Sequence, residues 1–451
     1  MKQISILGSS VCVAVLATAC GSNGLGTSND AGTHPDARID AHPVDSGQDK
    51  DTGCPLCRMA VDSGHDAGKP DAGKAQYVLV TGQGSSSSEL VAVALNGTTV
   101  AGSSSVGDTQ AILDTHDPTT AFMLGQTTDT VWRLDATQPW KLDSSFSVGI
   151  TGEKDAGIGY SDPYEVVLGE PGSAYVLRYT SNYIDLIPYT LDEDAGAPSH
   201  KIDLSGLLQA GDHDTIVEAV GGAFVAATHT LYVVLGNIDR TTILPPSYDL
   251  LCTTTVSTVI AIDTQHNVVK SLGDAGPGGS VALKGFDPVY GGVVFDEANH
   301  RILIEEAGCT PATGDAGGGG TIKHGIEAFD LTTNTTTLLL PNFTAPTDFP
   351  SELVLVGNNK AVVQVNFTGS ETYGWDMTTS ALGAAIATAP DVFAYDGNGN
   401  LVGVNATPVD GGMNSQIVSV ALATGTSTTL VSQPFSIPIA FVGGAGVWPH
   451  P

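Results

Sequence analysis

The sequence predicts an all-β protein: a β-propeller, most simply of seven blades, closed by pairing the last strand into the first blade. A hairpin phrase recurs, in which apolar residues surround a variable one, a polar residue (usually Asp) follows, and Thr, Asn or Gly come next. It reads Trp132-Arg-Leu-Asp135, Ile260-Ala-Ile-Asp263, Ala328-Phe-Asp330, Gly374-Trp-Asp376 and Val418-Ser-Val-Ala-Leu422. Short runs rich in Val, Thr, Ile and Tyr come in sets of four, and long amphipathic helical stretches are hard to find. Repetition of one four-stranded unit is the mark of a radial array.

The sets follow in order from Tyr77. The first complete one has runs near 109–113, at Ala121–Leu124, at Thr130–Leu134 and from Trp140. The second has Tyr164–Leu168, Ala174–Arg178, Tyr183–Ile187 and His200–Leu204. The third has Thr215–Ala219, Thr230–Val234, Val256–Ile262 and Asn267–Leu272. Further sets start near Val289, Glu352 and Asp391. Residues 77–103 supply only three runs, and Ser436–Val442 is an orphan. Joining the orphan to those three completes a blade and removes an open sheet edge. That gives seven blades; six and eight also fit the spacing.

An Asp precedes the first strand of most sets: Asp108, Asp162, Asp214, Asp287, Asp348 and Asp391, at intervals of 54, 52, 73, 61 and 43 residues. The four long intervals each hold an Asp-Ala-Gly phrase, at Asp155, Asp194, Asp274 and Asp315, and the shortest holds none. Acidic, glycine-bearing and poor in apolar residues, these phrases read as solvent-facing loop insertions.

Three regions are expected: residues 1–20, 21–75 and 76–451. The first is an export signal, with Lys2 before an apolar run from Ile4 to Ala17 that is too short to span a bilayer. It ends Leu16-Ala-Thr-Ala-Cys20, which resembles a bacterial lipobox. That resemblance implies lipidation of Cys20 and a membrane anchor. Gly21 follows the Cys in place of an Asp retention residue, so the resemblance points to the outer membrane or cell surface. Residues 21–75 carry almost no aromatic or branched apolar side chains and read as a disordered tether. Cys54-Pro-Leu-Cys57 lies inside it; a local disulfide or inconsequential thiols suit that context better than a redox pair or half a zinc site.

The chain has 451 residues, with Lys plus Arg at 17 and a formal net charge of −31. Few of those charges precede Tyr77, so the folded part is itself acidic. It would repel phosphate backbones, which argues against nucleic acid. Cys252 and Cys309 are the cysteines of the folded part, and export favours their pairing.

Symmetry would gather the six recurring aspartates near one mouth of the central channel. Clustered carboxylates need a cation or protons, so calcium is the ion they suggest. The competing reading is turn chemistry, with each side chain accepting backbone N–H groups. His213, between Asp212 and Asp214, and His116, next to Asp117, are the acid–base candidates. Asp396-Gly-Asn-Gly-Asn400 mimics the start of a calcium loop but lacks its later Gly and Glu, and reads as a hairpin turn. There is no Gly-x-Ser-x-Gly elbow, no His-Glu-x-x-His helix and no phosphate-binding glycine loop.

With its hairpin phrase and Tyr/Val-rich second strands such as Leu231-Tyr-Val-Val234, the region 77–442 resembles bacterial surface propellers with YVTN-type and lactonase-like repeats. That family holds enzymes, binding proteins and proteins of no known role. The leading expectation is non-enzymatic: a surface lipoprotein displaying a propeller to bind a protein, glycan or other envelope ligand. The alternative is a metal-dependent lactonase or hydrolase using the carboxylates at the channel mouth.

Overall fold

The computed structural model describes residues 76–117, 120–149, 161–188, 200–244, 249–273, 276–311, 323–341, 349–365, 371–409 and 412–449. Residues 1–75, with the expected export signal, Cys20, Cys54 and Cys57, lie outside them, as do Asp348 and the aspartates of the four Asp-Ala-Gly phrases.

Seven antiparallel sheets stand around a ring. Blade one spans 111–147, blade two 163–203, blade three 219–270, blade four 288–341, blade five 350–385 and blade six 392–432. Their innermost strands are Ala111–Asp114, Pro163–Leu168, Ala219–Val225, Pro288–Asp296, Pro350–Gly357 and Val392–Tyr395. Blade seven is composite. Its order runs Val100–Val106, Ser88–Ala94, Tyr77–Gly84 and, innermost, Ile439–Trp448. Each innermost strand touches the next, and Ile439–Trp448 touches that of blade one. The ring is closed as the sequence predicts.

The closing register is antiparallel, from Tyr77 opposite Trp448 to Gln83 opposite Phe441. The Glu89 carboxylate fixes the approach, accepting from Ser436 N at 2.6 Å, Ser436 Oγ at 2.9 Å and Ile437 N at 3.2 Å. The closing strand begins later and runs further than the apolar run Ser436–Val442 suggests. Its second half is glycine-rich because blade one presses on it: a Cβ at Gly446 would lie 2.2 Å from Thr115 Oγ1. Glycine weakens the strand signal in sequence while allowing the close approach that closure needs.

Cohesion lies between the blades. Seven apolar clusters occupy the seven blade junctions. The strand Thr230–Leu235 shows why its sequence is apolar throughout: Leu231, Val233 and Leu235 face blade two, while Tyr232 and Val234 face blade four. With both faces covered, period-two alternation gives way to a continuous run.

The hairpin phrase also has a physical reading. Its Asp ends the third strand of a blade and caps the turn to the fourth. Asp135 accepts from Thr137 N at 2.7 Å and Gln138 N at 2.8 Å, Asp330 from Thr332 N at 2.9 Å and Thr333 N at 2.8 Å, and Asp376 from Thr378 N at 3.0 Å. Such Asx turns are why Asp and Thr recur there. Asp396 does the same between Val392–Tyr395 and Asn400–Val409, accepting from Asn398 N at 2.8 Å and Asn400 N at 2.9 Å.

Blade three departs most from the sequence expectation. The run Thr215–Ala219 is not its innermost strand, which starts at Ala219. Thr215 and Glu218 take φ values of 65° and 43°, so the chain bends there before it pairs. A long loop joins the second and third strands and carries a small ribbon, Ile243–Leu244 with Asp249–Leu250. The Cys252–Cys309 disulfide then ties this loop to blade four.

A chain ending at Pro438 is expected to lose its cooperative thermal transition and to aggregate, as followed by calorimetry and light scattering, because Tyr77–Gly84 would be left as an open inner edge. The disulfide closes a separation of 57 residues. Replacing both cysteines by Ser should cost about 2–4 kcal/mol, seen as a lower melting temperature under oxidising conditions only.

Candidate functional site

The N-terminal ends of the innermost strands and the turns joining second to third strands lie at the same mouth. Blades one to three bring acidic side chains together there. Asp108, just before the first innermost strand, accepts from Gln110 N at 2.6 Å, and its Oδ2 reaches Thr128 N at 2.8 Å and Thr127 N at 3.1 Å. Asp129, with φ at 51°, accepts from Ser161 N at 2.6 Å and Ser161 Oγ at 2.8 Å. Asp162 is 4% exposed. Burial pushes its carboxyl well above the usual range; the Arg240 guanidinium opposes this, and Asp129 and Asp108 add to it.

Beside these lies a tighter group. One carboxylate oxygen each from Asp212, Asp214 and Asp239 falls within 4.8 Å of the others, and such a group could hold a metal ion. Two separate segments build it. Asp212 and Asp214 sit in the connection from blade two to blade three, and Asp239 begins the long loop of blade three. Asp212 Oδ1 accepts from Asp214 N at 3.1 Å and Thr215 N at 3.2 Å, which sets the bend. Its Oδ2 is buried and has no hydrogen-bond donor. Asp214 Oδ2 accepts from Arg240 N at 2.9 Å and Arg240 Nε at 3.0 Å. Glu218, fully buried, lies 3.5 Å from Arg240 Nε.

Charge in this group is poorly balanced. Burial, followed by the charge of Asp214, pushes Asp212 up to about 7. Burial, with Asp214 and Asp212 adding to it, holds Glu218 well above its usual value against the pull of Arg240. Burial would raise Asp239 too, but hydrogen bonds from Thr241 and His213 bring it below the ordinary carboxylate range. Arg240, beneath the cluster, stacks its guanidinium 5.1 Å from the Tyr179 ring. Its two terminal nitrogens are buried without acceptors.

The two histidines have separate surroundings. His213 is exposed, with Nδ1 2.6 Å from Asp239 Oδ2, and that hydrogen bond raises its pKa. His116 is half-exposed, its Nδ1 3.0 Å from Asp114 and 4.0 Å from Glu165. Burial works against its charge, but the hydrogen bond and charge of Asp114, with Glu165, carry it to about 9. Both acids also latch neighbouring blades: Asp114 accepts from Val166 N at 2.6 Å, and Glu165 from Gly222 N at 2.9 Å.

The fold has counterparts among solved structures. A candidate 6-phosphogluconolactonase from Bacteroides uniformis superposes with a TM-score of 0.52 at 10% identity, covering 83% of this chain and 100% of that one. Another from Bacteroides fragilis gives 0.50 at 11% identity, covering 84% and 99%. A functionally unknown protein from Desulfotomaculum acetoxidans gives 0.50 at 11%, covering 83% and 99%. The chain is a seven-bladed β-propeller. At such identities the likeness speaks for the propeller and for nothing finer. No protein-family model and no curated protein matches the sequence.

On the propeller the sequence-derived aspartates divide. Asp214 joins the tight cluster, and Asp108 and Asp162 come within electrostatic reach of each other. Asp391 accepts from Ala406 N at 2.7 Å, a staple within blade six. Asp287, half-buried with φ at 56°, is raised to about 7 by burial. Asp239, Arg240, Glu218 and Asp129 were not singled out from sequence. Glu218 carried the clearest signal, an acid inside an apolar run. Asp239 and Asp129 sit in turns with nothing to mark them.

A carboxylate of blade four tests the cost of burial away from the cluster. Glu305 is fully buried, and neither of its carboxylate oxygens has a hydrogen-bond donor. Burial, then the charge of Glu352, holds it well above the ordinary range. The folded state therefore binds this proton more tightly than the unfolded chain. The stability it lends is complete below the usual carboxyl range and is lost as pH rises. Glu305→Gln is expected to leave the melting temperature at pH 4 near that of the parent and to raise it at pH 8 by about 2 °C or more. Equal shifts at both pH values would show that the proton is not the cause.

Proposed function

We propose that this protein is a surface-displayed propeller, anchored through a lipid on Cys20, that binds an envelope or extracellular ligand at its acidic mouth, with a divalent cation, calcium, taking part there. The observation that carries this reading is the gathering of Asp129, Asp162, Asp212, Asp214 and Asp239 at one end of a closed ring. A ring of this kind fixes loop ends against one another, and function on such scaffolds is carried by the loops. Partly desolvated carboxylates of one sign favour cations and cationic or hydroxylated groups over nucleic acid. The signal, the lipobox-like Cys20 and the apolar-poor segment before Tyr77 support display.

A lactonase-like hydrolase is the second reading, favoured by the names of two of the similar propellers. Asp108 and Asp391 weigh against it, since each is committed to backbone amides of its own blade.

Expressed in a Gram-negative host with labelled palmitate, the full chain should take up label and sediment with membranes. Cys20→Ala should abolish both. Label retained in that variant, or a parent found entirely in the soluble fraction, would remove the anchor from the reading.

A further inference from the structure

We propose that Asp212, Asp214 and Asp239 hold one calcium ion that pins the long loop of blade three to the connection entering that blade. The inference deepens the reading of this mouth as a binding face by naming the ion's ligands.

The three carboxylates converge within 4.8 Å from segments that share no strand pairing at that point. Each already has one oxygen held by backbone donors, from Asp214 and Thr215 to Asp212, from Ile216 to Asp214 and from Thr241 to Asp239. The carboxylates are thus oriented before any ion arrives. The second observation is Asp212 itself. It is 9% exposed, and its Oδ2 is buried with no donor within reach. A buried carboxylate oxygen without a partner is costly unless something positive meets it. Arg240 does not do so, because its hydrogen bonds go to Asp214 and its terminal nitrogens are unpartnered. His213 approaches Asp239 instead.

The donor set is all oxygen and anionic, which suits a hard cation. Calcium accepts irregular geometry and fills remaining positions with carbonyl oxygens or water, whereas magnesium demands a near-ideal octahedron. The consequence is local order. The loop from Asp239 leads through the ribbon to Cys252, so an ion at its start and the disulfide near its end would clamp both ends.

The test uses the full chain, stripped with chelator and desalted, titrated with calcium chloride by calorimetry and melted with and without calcium. One ion per chain is expected, with a dissociation constant of about 1 mM or tighter. Saturating calcium should raise the melting temperature by a few degrees. Asp212→Asn keeps an oxygen for the two backbone donors and removes a charge that no cation meets, so its melting temperature in chelator should equal or exceed that of the parent. Its calcium affinity should fall by about tenfold or more. Absence of saturable heat and of any melting shift in the parent overturns the proposal, and so does an unchanged calcium response in Asp212→Asn. If that variant folds poorly, Asp239→Asn is measured in its place under the same criteria. A calcium response found in a chain that is neither lipidated nor surface-exposed would sustain the ion and remove the display reading; the opposite pattern would do the reverse.

Discussion

The pairing of Ile439–Trp448 with Tyr77–Gly84 is the interaction on which everything else rests. No blade can bury both of its faces alone. Each junction cluster exists only because a neighbour stands on either side, and the seventh neighbour is made from the two ends of the described chain. Loss of that single ladder would expose apolar faces on blades one and six together. The Glu89 contacts to Ser436 and Ile437, and the glycines that let the closing strand press on blade one, serve this one constraint.

Closure also explains the unusual burial of acids. Innermost strands have no further strand on their channel side, so some of their N–H groups need other acceptors. Asp114 and Glu165 supply them across blade boundaries, and Glu352 does so for Phe393 N at 3.3 Å. These carboxylates are structural, yet their burial raises the energetic stakes of every additional acid near the axis. At the mouth of blades one to three that condition becomes acute, since Arg240 faces Asp214, Glu218 and, at longer range, Asp162.

Much of the fold was legible in the sequence because the turn chemistry repeats. The Asp that ends the third strand in four of the seven blades, at Asp135, Asp263, Asp330 and Asp376, is a local signal that survives without an alignment. Continuous apolar runs such as Leu231-Tyr-Val-Val234 were legible because two-sided burial leaves no alternation. The closing strand was found only in part, since Gly443, Gly444 and Gly446 carry no strand propensity. The site was less legible. Asp214 followed from periodicity, but Asp239 meets it only through a bend at Thr215 and Glu218 whose positive φ values no residue type there announces.

Strand direction carries a last consequence. Innermost strands run away from the acidic mouth, so Trp448 ends at the far rim, and Tyr77, opposite it, begins there as well. Both ends of the described chain therefore leave from the rim opposite the carboxylates. For a protein held at Cys20 through an apolar-poor arm, the attachment would enter the ring from the side away from the charged opening, so the chain's own leader would not obstruct ions and ligands arriving there.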